Sequence, residues 1–284
     1  MIKAIAFDLE GTIVNNDLAH HRAIAMATAE FTGVRLFKKG TQDYEPDYKK
    51  FFAVIPGFIG LSNLQVAQQF LRLREHADGS IYLSNEEPYS GRIQEFIHNK
   101  DHNYGKYIQE HGFDVRTGFF MIYVALQSHL QIRFGPNFAK NLCIGTALPW
   151  KKAEQIVNRF VKPTFAQKKI EEIFVPFRLM PDWFSRDQIV TESDYIGRPK
   201  PSPDIWFATA KKSKVQPYEQ LIFEDSVRGV TSAVSSGATV IAVASIDEPG
   251  HLKKLQEAGA YYVCASWLDQ RLKTEILPKI LART

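Results

Sequence analysis

The chain has 284 residues, 45% hydrophobic and 23% charged, with a net charge of +4. That balance excludes a disordered or fibrous chain and leaves room for one large domain or two smaller ones. The basic residues are scattered rather than massed, so a nucleic-acid partner is not expected, and a mild positive balance suits anionic substrates.

Cys143 and Cys264 are the only cysteines. They give neither a metal-ligand spacing nor a disulfide framework, which fits a reducing cytoplasm. The N-terminus runs straight into an apolar strand pattern and shows no signal-peptide pattern. The longest apolar run, 119–126, is too short to cross a bilayer. A cytoplasmic location without a membrane partner is the expectation.

Ile5-Ala6-Phe7 reads as a buried strand that ends on Asp8, with Glu10 and Gly11-Thr12 close behind. Asn15-Asn16-Asp17 offers helix N-caps, residues 18–31 form an Ala-rich helix, and Gly33 closes it. Between Arg35 and Gly112 no strand is expected. Tyr44, Tyr48, Phe51 and Phe52 fall at helical spacing, as do 64–73 and 93–108, with Pro56-Gly57, Asp78-Gly79 and Pro88 as breaks. The aromatic group suits the core of this helical block.

The pattern changes near Val115. Residues 119–134 read as an apolar helix and Leu142-Cys143-Ile144-Gly145 as a buried strand; 150–160 and 167–177 read as helices. Ile189-Val190, Leu221-Ile222-Phe223, 239–244 and 260–264 read as strands, alternating with helices over 203–213 and 226–236. Such alternation implies a parallel sheet covered on both faces. The expected architecture is α/β: a Rossmann-like parallel sheet core over 1–16 and 114–284, interrupted by an all-helical cap domain over 17–113.

Each residue with chemical potential follows a strand, so all would gather on one edge of the sheet. Asp8 and Glu10 follow the first strand, Thr146 follows 142–145, and Glu224-Asp225 follows 221–223. Lys200 sits in Gly197-Arg198-Pro199-Lys200-Pro201. A hydroxyl and an ammonium suit phosphoryl oxygens, and carboxylates suit a hard cation such as Mg²⁺. Other polar groups lack such a pattern. His98, His102 and His111 have no tight ligand spacing, and Lys211, Lys212 and Lys214 suit a solvated face.

With these residues in view, the sequence resembles the haloacid dehalogenase-like (HAD) phosphohydrolase superfamily. DLEGT at 8–12, the strand ending in Thr146, the pair Lys200-Pro201 and FEDSVRG at 223–229 match its four motifs in order. SAVSSGATVIAV at 232–243 matches its C-terminal pattern. The subgroup it resembles is the phosphoglucomutase/phosphatase-like one, with a helical cap inserted after the first motif.

The resemblance implies roles. Asp8 would be the nucleophile, and Glu10 would occupy the acid/base position with its backbone carbonyl on Mg²⁺. Thr146 and Lys200 would hold phosphoryl oxygens, and Asp225 with Glu224 would complete the metal site. His20, on the first helix of the insert, stands near the position of a pocket histidine in phosphoglucomutase-like members. The partner would be a small phosphorylated metabolite. A phosphomutase and a weak phosphate-binding protein remain open as alternatives, whereas the acids argue against dehalogenation.

Glu10 departs from the family pattern, which usually has Asp there. The extra methylene displaces the proton donor by roughly 1–1.5 Å. A misplacement of about 1 Å can cost ~10²-fold in rate.

Overall fold

The structure is a computed structural model describing residues 1–38, 40, 45–56, 58, 61–163, 184–195, 197–244 and 250–282. The helix expected over 167–177 lies outside the described residues, as do Tyr44 and Gly57. The chain divides into two compact units, Met1–Asn15 with Phe113–Thr284, and Asn16–Gly112.

The first unit is built on a parallel six-stranded sheet. The chain enters at β1 (Ala4–Phe7) and passes through β2 (Val14–Asn15). The inserted unit supplies β3 (Leu73–Glu75) and β4 (Ile81–Leu83). After it come β5 (Asp114–Val115), β6 (Leu142–Gly145), β7 (Ile189–Val190), β8 (Gln220–Glu224), β9 (Thr239–Val243) and β10 (Tyr262–Cys264). The sheet order is β10-β9-β8-β1-β6-β7. β1 pairs in parallel with β6 on one side and β8 on the other. The chain therefore reverses its direction of sheet growth at β1, and the carboxyl end of β1 is a topological switch point, where ligands bind in open α/β sheets.

Alternation along each strand sorts the core. Ile5 and Phe7 join Leu142, Ile144, Leu221, Phe223, Ile241 and Val243 on one face. Ala6, Ile222, Val240 and Ala242 belong to the other. The large residues meet the helix Phe119–Phe134 through Phe119, Tyr123 and Leu126. The smaller face is covered by Ile205 and Trp206 of the helix Asp204–Ser213 and by Val230 and Ala233 of the helix Val227–Ser235. Each fully buried aliphatic or Phe side chain contributes about 1.5–3 kcal/mol relative to exposure. Phe7 stacks on Phe223 with centroids 5.1 Å apart and meets Phe119 edge-on at 5.2 Å. The strand that ends in Asp8 is thus locked one residue before the site.

The inserted unit has the helices Asp17–Thr32, Tyr48–Val54, Asn63–Phe70 and Ser90–His111. Its core includes Ile24, Phe51, Phe58, Phe70 and Phe96, so Phe51 is a core residue as its spacing implies. The unit is not all-helical. β3 and β4 form an antiparallel hairpin, Leu73 opposite Leu83 and Glu75 opposite Ile81. The helix stops at Phe70, and Gly79 takes φ = 83° in the turn. Asp78-Gly79 between two short strand-forming runs is a hairpin signal, hidden in the sequence by the helical spacing of Leu64 to Leu73.

Candidate active site

β1 carries Asp8 beyond the last sheet residue, Phe7, and the Asp8 N–H donates to Phe223 O at 2.9 Å. The turn then folds back: Ile13 N and Val14 N both donate to Leu9 O at 3.0 Å, and Gly11 N donates to Val14 O at 2.8 Å. Gly11 has φ = 79°, a left-handed conformation that glycine adopts without cost. Glu10 stands in this turn, half-buried.

From β8, Glu224 and Asp225 reach the same edge. Glu224 is 1% exposed and Asp8 7% exposed, so neither has bulk water to stabilise its charge. Lys200 compensates. Its Nζ lies 2.5 Å from Asp8 Oδ1 and 2.5 Å from Glu224 Oε1, and above the Trp206 ring at 4.7 Å. The other Glu224 oxygen accepts from Asp225 N at 3.0 Å and from Ser226 N at 3.4 Å. Ser226 caps the following helix by accepting from Gly229 N at 3.1 Å. A β-carbon on Gly229 would lie 2.0 Å from the Glu224 carboxylate, so glycine is what lets that carboxylate sit under the helix.

Asp8, Glu224 and Asp225 can each offer an oxygen so that all lie within 4.8 Å of one another. The donor set is three carboxylates of a kind that holds Mg²⁺ or a similar hard cation. Glu10 is not among this group of carboxylates. Thr12 Oγ1 donates to Asp225 Oδ1 over a long 3.5 Å. Thr12, the last residue of DLEGT, joins the site through this contact, although its hydroxyl carries no strand-end signal of its own.

Two buried acids, Asp8 and Glu224, share one ammonium, and the electrostatics follow. Burial raises the Asp8 carboxyl to about 7, with Lys200 opposing and Glu224 and Glu10 reinforcing. For Lys200, burial works against the charge, but the Asp8 and Glu224 carboxylates outweigh it and hold the ammonium above its usual range. Lys200 therefore stays charged, and Asp8 is the acid of the cluster that is drawn toward its protonated form.

Thr146 lies just past β6, 2% exposed, and its N–H donates to Val190 O at 3.0 Å. Its hydroxyl oxygen accepts from Leu148 N at 3.2 Å, which turns the chain at the strand end. His20 belongs to the inserted unit, on the helix Asp17–Thr32, stacked on Tyr104 at 4.3 Å. Burial and the nearby Lys100 hold its imidazole well below the usual range, so it is neutral at pH 7.

A putative beta-phosphoglucomutase from Bacteroides vulgatus superposes with a TM-score of 0.62 at 17% identity, over 99% of this chain and 91% of that one. A HAD family hydrolase from Deinococcus radiodurans R1, with bound phosphate and sodium, gives 0.61 at 19% identity, over 99% and 97%. The fold is the haloacid dehalogenase-like one. A bifunctional riboflavin kinase/FMN phosphatase from Arabidopsis thaliana is 38% identical over 96 residues, which are 34% of this chain. That match spans 24% of the relative's length. No protein-family model matches the chain.

On this HAD-like fold, β1, β6 and β8 put Asp8, Thr146 and Asp225 just past their carboxyl ends. No helix among the described residues is long and apolar enough to cross a membrane.

Proposed function

We propose that the protein is a Mg²⁺-dependent hydrolase, a phosphatase that cleaves a small phosphate monoester through an aspartyl-phosphate. The observation that carries the reading is the buried cluster at the switch point: Asp8 and Glu224 both 2.5 Å from Lys200 Nζ, with Asp225 completing a three-carboxylate group. The HAD-like fold and the Arabidopsis relative, an FMN phosphatase in its second function, support it.

In this reading Asp8 attacks phosphorus with a carboxylate oxygen while the bond to the leaving oxygen breaks. Glu10 gives that oxygen a proton. The ionised Glu10 then takes a proton from water, whose oxygen attacks the aspartyl-phosphate, releasing phosphate and the Asp8 carboxylate. Lys200 and Thr146 hold the non-bridging oxygens as charge builds. Asp8, Asp225, Glu224 and the Glu10 backbone carbonyl would hold Mg²⁺. The ion offsets negative charge, so that an anionic ester can meet an ionised Asp8.

The inserted unit is assigned the choice of substrate, with His20 as a neutral hydrogen-bonding group rather than a cationic one. Two buried free thiols, Cys143 and Cys264, suit the cytoplasm. A phosphomutase is the second reading, favoured by the fold shared with the putative beta-phosphoglucomutase.

The deciding experiment follows phosphate release from a panel of esters that includes FMN, hexose phosphates and p-nitrophenyl phosphate. Activity is expected to vanish in EDTA and return with Mg²⁺, and Asp225→Ala should raise the Mg²⁺ requirement or remove activity. Full turnover in EDTA would rule out the metal site. Phosphate binding with no turnover would leave a binding protein, and transfer between hydroxyls of one sugar without net phosphate release would make it a mutase.

A further inference from the structure

The turn that carries Glu10 is held by a residue from the far crossing of the chain. Arg116 stands just past β5, and its backbone N–H donates to Ile13 O at 2.9 Å. Its guanidinium then gathers three carbonyls. Nη1 donates to Gly11 O at 2.7 Å and to Val243 O at 2.9 Å; Nη2 donates to Ala244 O at 2.6 Å. The first of these belongs to the site turn, and the other two belong to the carboxyl end of β9. A planar fork of donors makes this bridge where a single ammonium would not. Hydrogen bonds from an ionised donor are about twice as strong as neutral ones. Trp267 adds a second hold, its indole Nε1 donating to Thr12 O at 2.9 Å.

Resting on the hydrolase reading above, we propose that Arg116 is a positioning residue for the reaction: by fixing the Gly11 peptide on the end of β9, it sets the place of the Glu10 carboxyl beside Asp8. The guanidinium bonds of Arg116 named above all go to backbone carbonyls, one of them on the turn that carries Glu10. The effect of Arg116 on rate therefore passes through Glu10. Glu10 serves the leaving oxygen, and good leaving groups need little protonation. The loss of Arg116 must then depend on the leaving group, and it must disappear once Glu10 can no longer supply a proton. A purely structural role would show neither property.

The test compares the parent with Arg116→Ala and Arg116→Lys, each alone and combined with Glu10→Gln, on an alkyl phosphate and on p-nitrophenyl phosphate with Mg²⁺ present. Arg116→Ala is expected to lower kcat on the alkyl ester by about 10²-fold with KM near the parental value. The loss on p-nitrophenyl phosphate should be smaller, Arg116→Lys should fall between, and Glu10→Gln should leave little more to lose. Hydrogen exchange supplies a readout independent of turnover: the peptide 8–14 should exchange faster in Arg116→Ala while β8 keeps its protection. If Arg116→Ala fails to fold, Arg116→Lys and Arg116→Gln carry the same comparison. Equal losses on both esters, additivity with Glu10→Gln, or parental exchange in 8–14 would overturn the role of Arg116. A parent that hydrolyses no phosphate ester would overturn the hydrolase reading itself, which separates the two failures.

Discussion

A β-carbon placed on Gly11 would lie 2.1 Å from Asp225 Oδ2 and 2.6 Å from its carboxyl carbon. The DLEGT turn and the end of β8 are therefore fitted to each other at a point where only hydrogen is tolerated. Gly11 also has φ = 79°. Gly11→Ala should cost about 1–2 kcal/mol for the left-handed conformation alone, and more for displacing Asp225. Urea unfolding should show that loss, and phosphatase activity should vanish with it. Parental stability and turnover in Gly11→Ala would show that the turn and Asp225 do not meet as described.

Asp8→Asn should abolish turnover while the protein stays folded, because the change is nearly isosteric and keeps a polar group beside Lys200. It also removes one of the acids competing for a single ammonium. Wild-type turnover in well-folded Asp8→Asn would remove Asp8 as nucleophile.

Lys200 is 12% exposed at its side chain, and its partners are more buried than surface ion pairs. Taking one member from a buried ion cluster leaves uncompensated charge, a loss of about 3–5 kcal/mol. Lys200→Met should therefore lower the urea midpoint markedly in EDTA. Mg²⁺ should restore part of the loss, since it binds the folded carboxylates and not the unfolded chain. A Lys200→Met midpoint equal to the parent's, with or without Mg²⁺, would contradict the cluster.

The inserted unit should have its own pH dependence. His21 is 5% exposed, its Nδ1 is 3.3 Å from Tyr48 Oη, and the rings of Phe51 and Phe58 pack against it. Burial, with His20 adding to it, pushes its pKa from 6.5 down to about 3. The folded state thus binds fewer protons than the unfolded state between those values, so stability rises with pH across that window and falls as pH drops below 6.5. Between pH 7 and pH 5 the parent should lose about 2 kcal/mol through this histidine. His21→Gln should flatten that slope. An unchanged slope would mean that His21 is charged in the folded protein.

Much of the first unit was legible because its signals are local. Ile5-Ala6-Phe7 before Asp8, and Leu221-Ile222-Phe223 before Glu224-Asp225, are short apolar runs with acids at their ends. The helix expected over 119–134 matches Phe119–Phe134. That the site residues share one sheet edge was legible, but which side chains touch was not, because those contacts join residues far apart in sequence. Lys200 meets Asp8 across 192 positions, and Arg116 meets Gly11 across 105. No spacing rule reports three carbonyls around one guanidinium. The hairpin of β3 and β4 was hidden for another reason: at three residues each, its strands are too short for alternation to outweigh a helical pattern running into them.

Glu10 is where this chain differs from the pattern it otherwise follows, and its neighbours argue that the difference is built in. Gly11 O and Thr12 O are both held, by Arg116 and Trp267, and Gly11 N is bonded to Val14 O. A turn fixed at so many points does not shift to suit a shorter acid. The reach of the proton donor is then set by the side chain itself, and Glu10→Asp pulls it back by roughly 1–1.5 Å. A retreat of about that size should lower kcat on alkyl phosphates by up to ~10²-fold. Glu10→Gln keeps the length but removes the titrating proton, so it should cost more than Glu10→Asp on alkyl esters. Both losses should shrink on p-nitrophenyl phosphate, whose leaving group needs little protonation. Steady-state kinetics of the two variants on both esters checks this. A Glu10→Gln protein that hydrolyses alkyl and aryl phosphates as fast as the parent would end the assignment of Glu10 as acid/base, and a faster Glu10→Asp would show that the turn yields to the residue it carries.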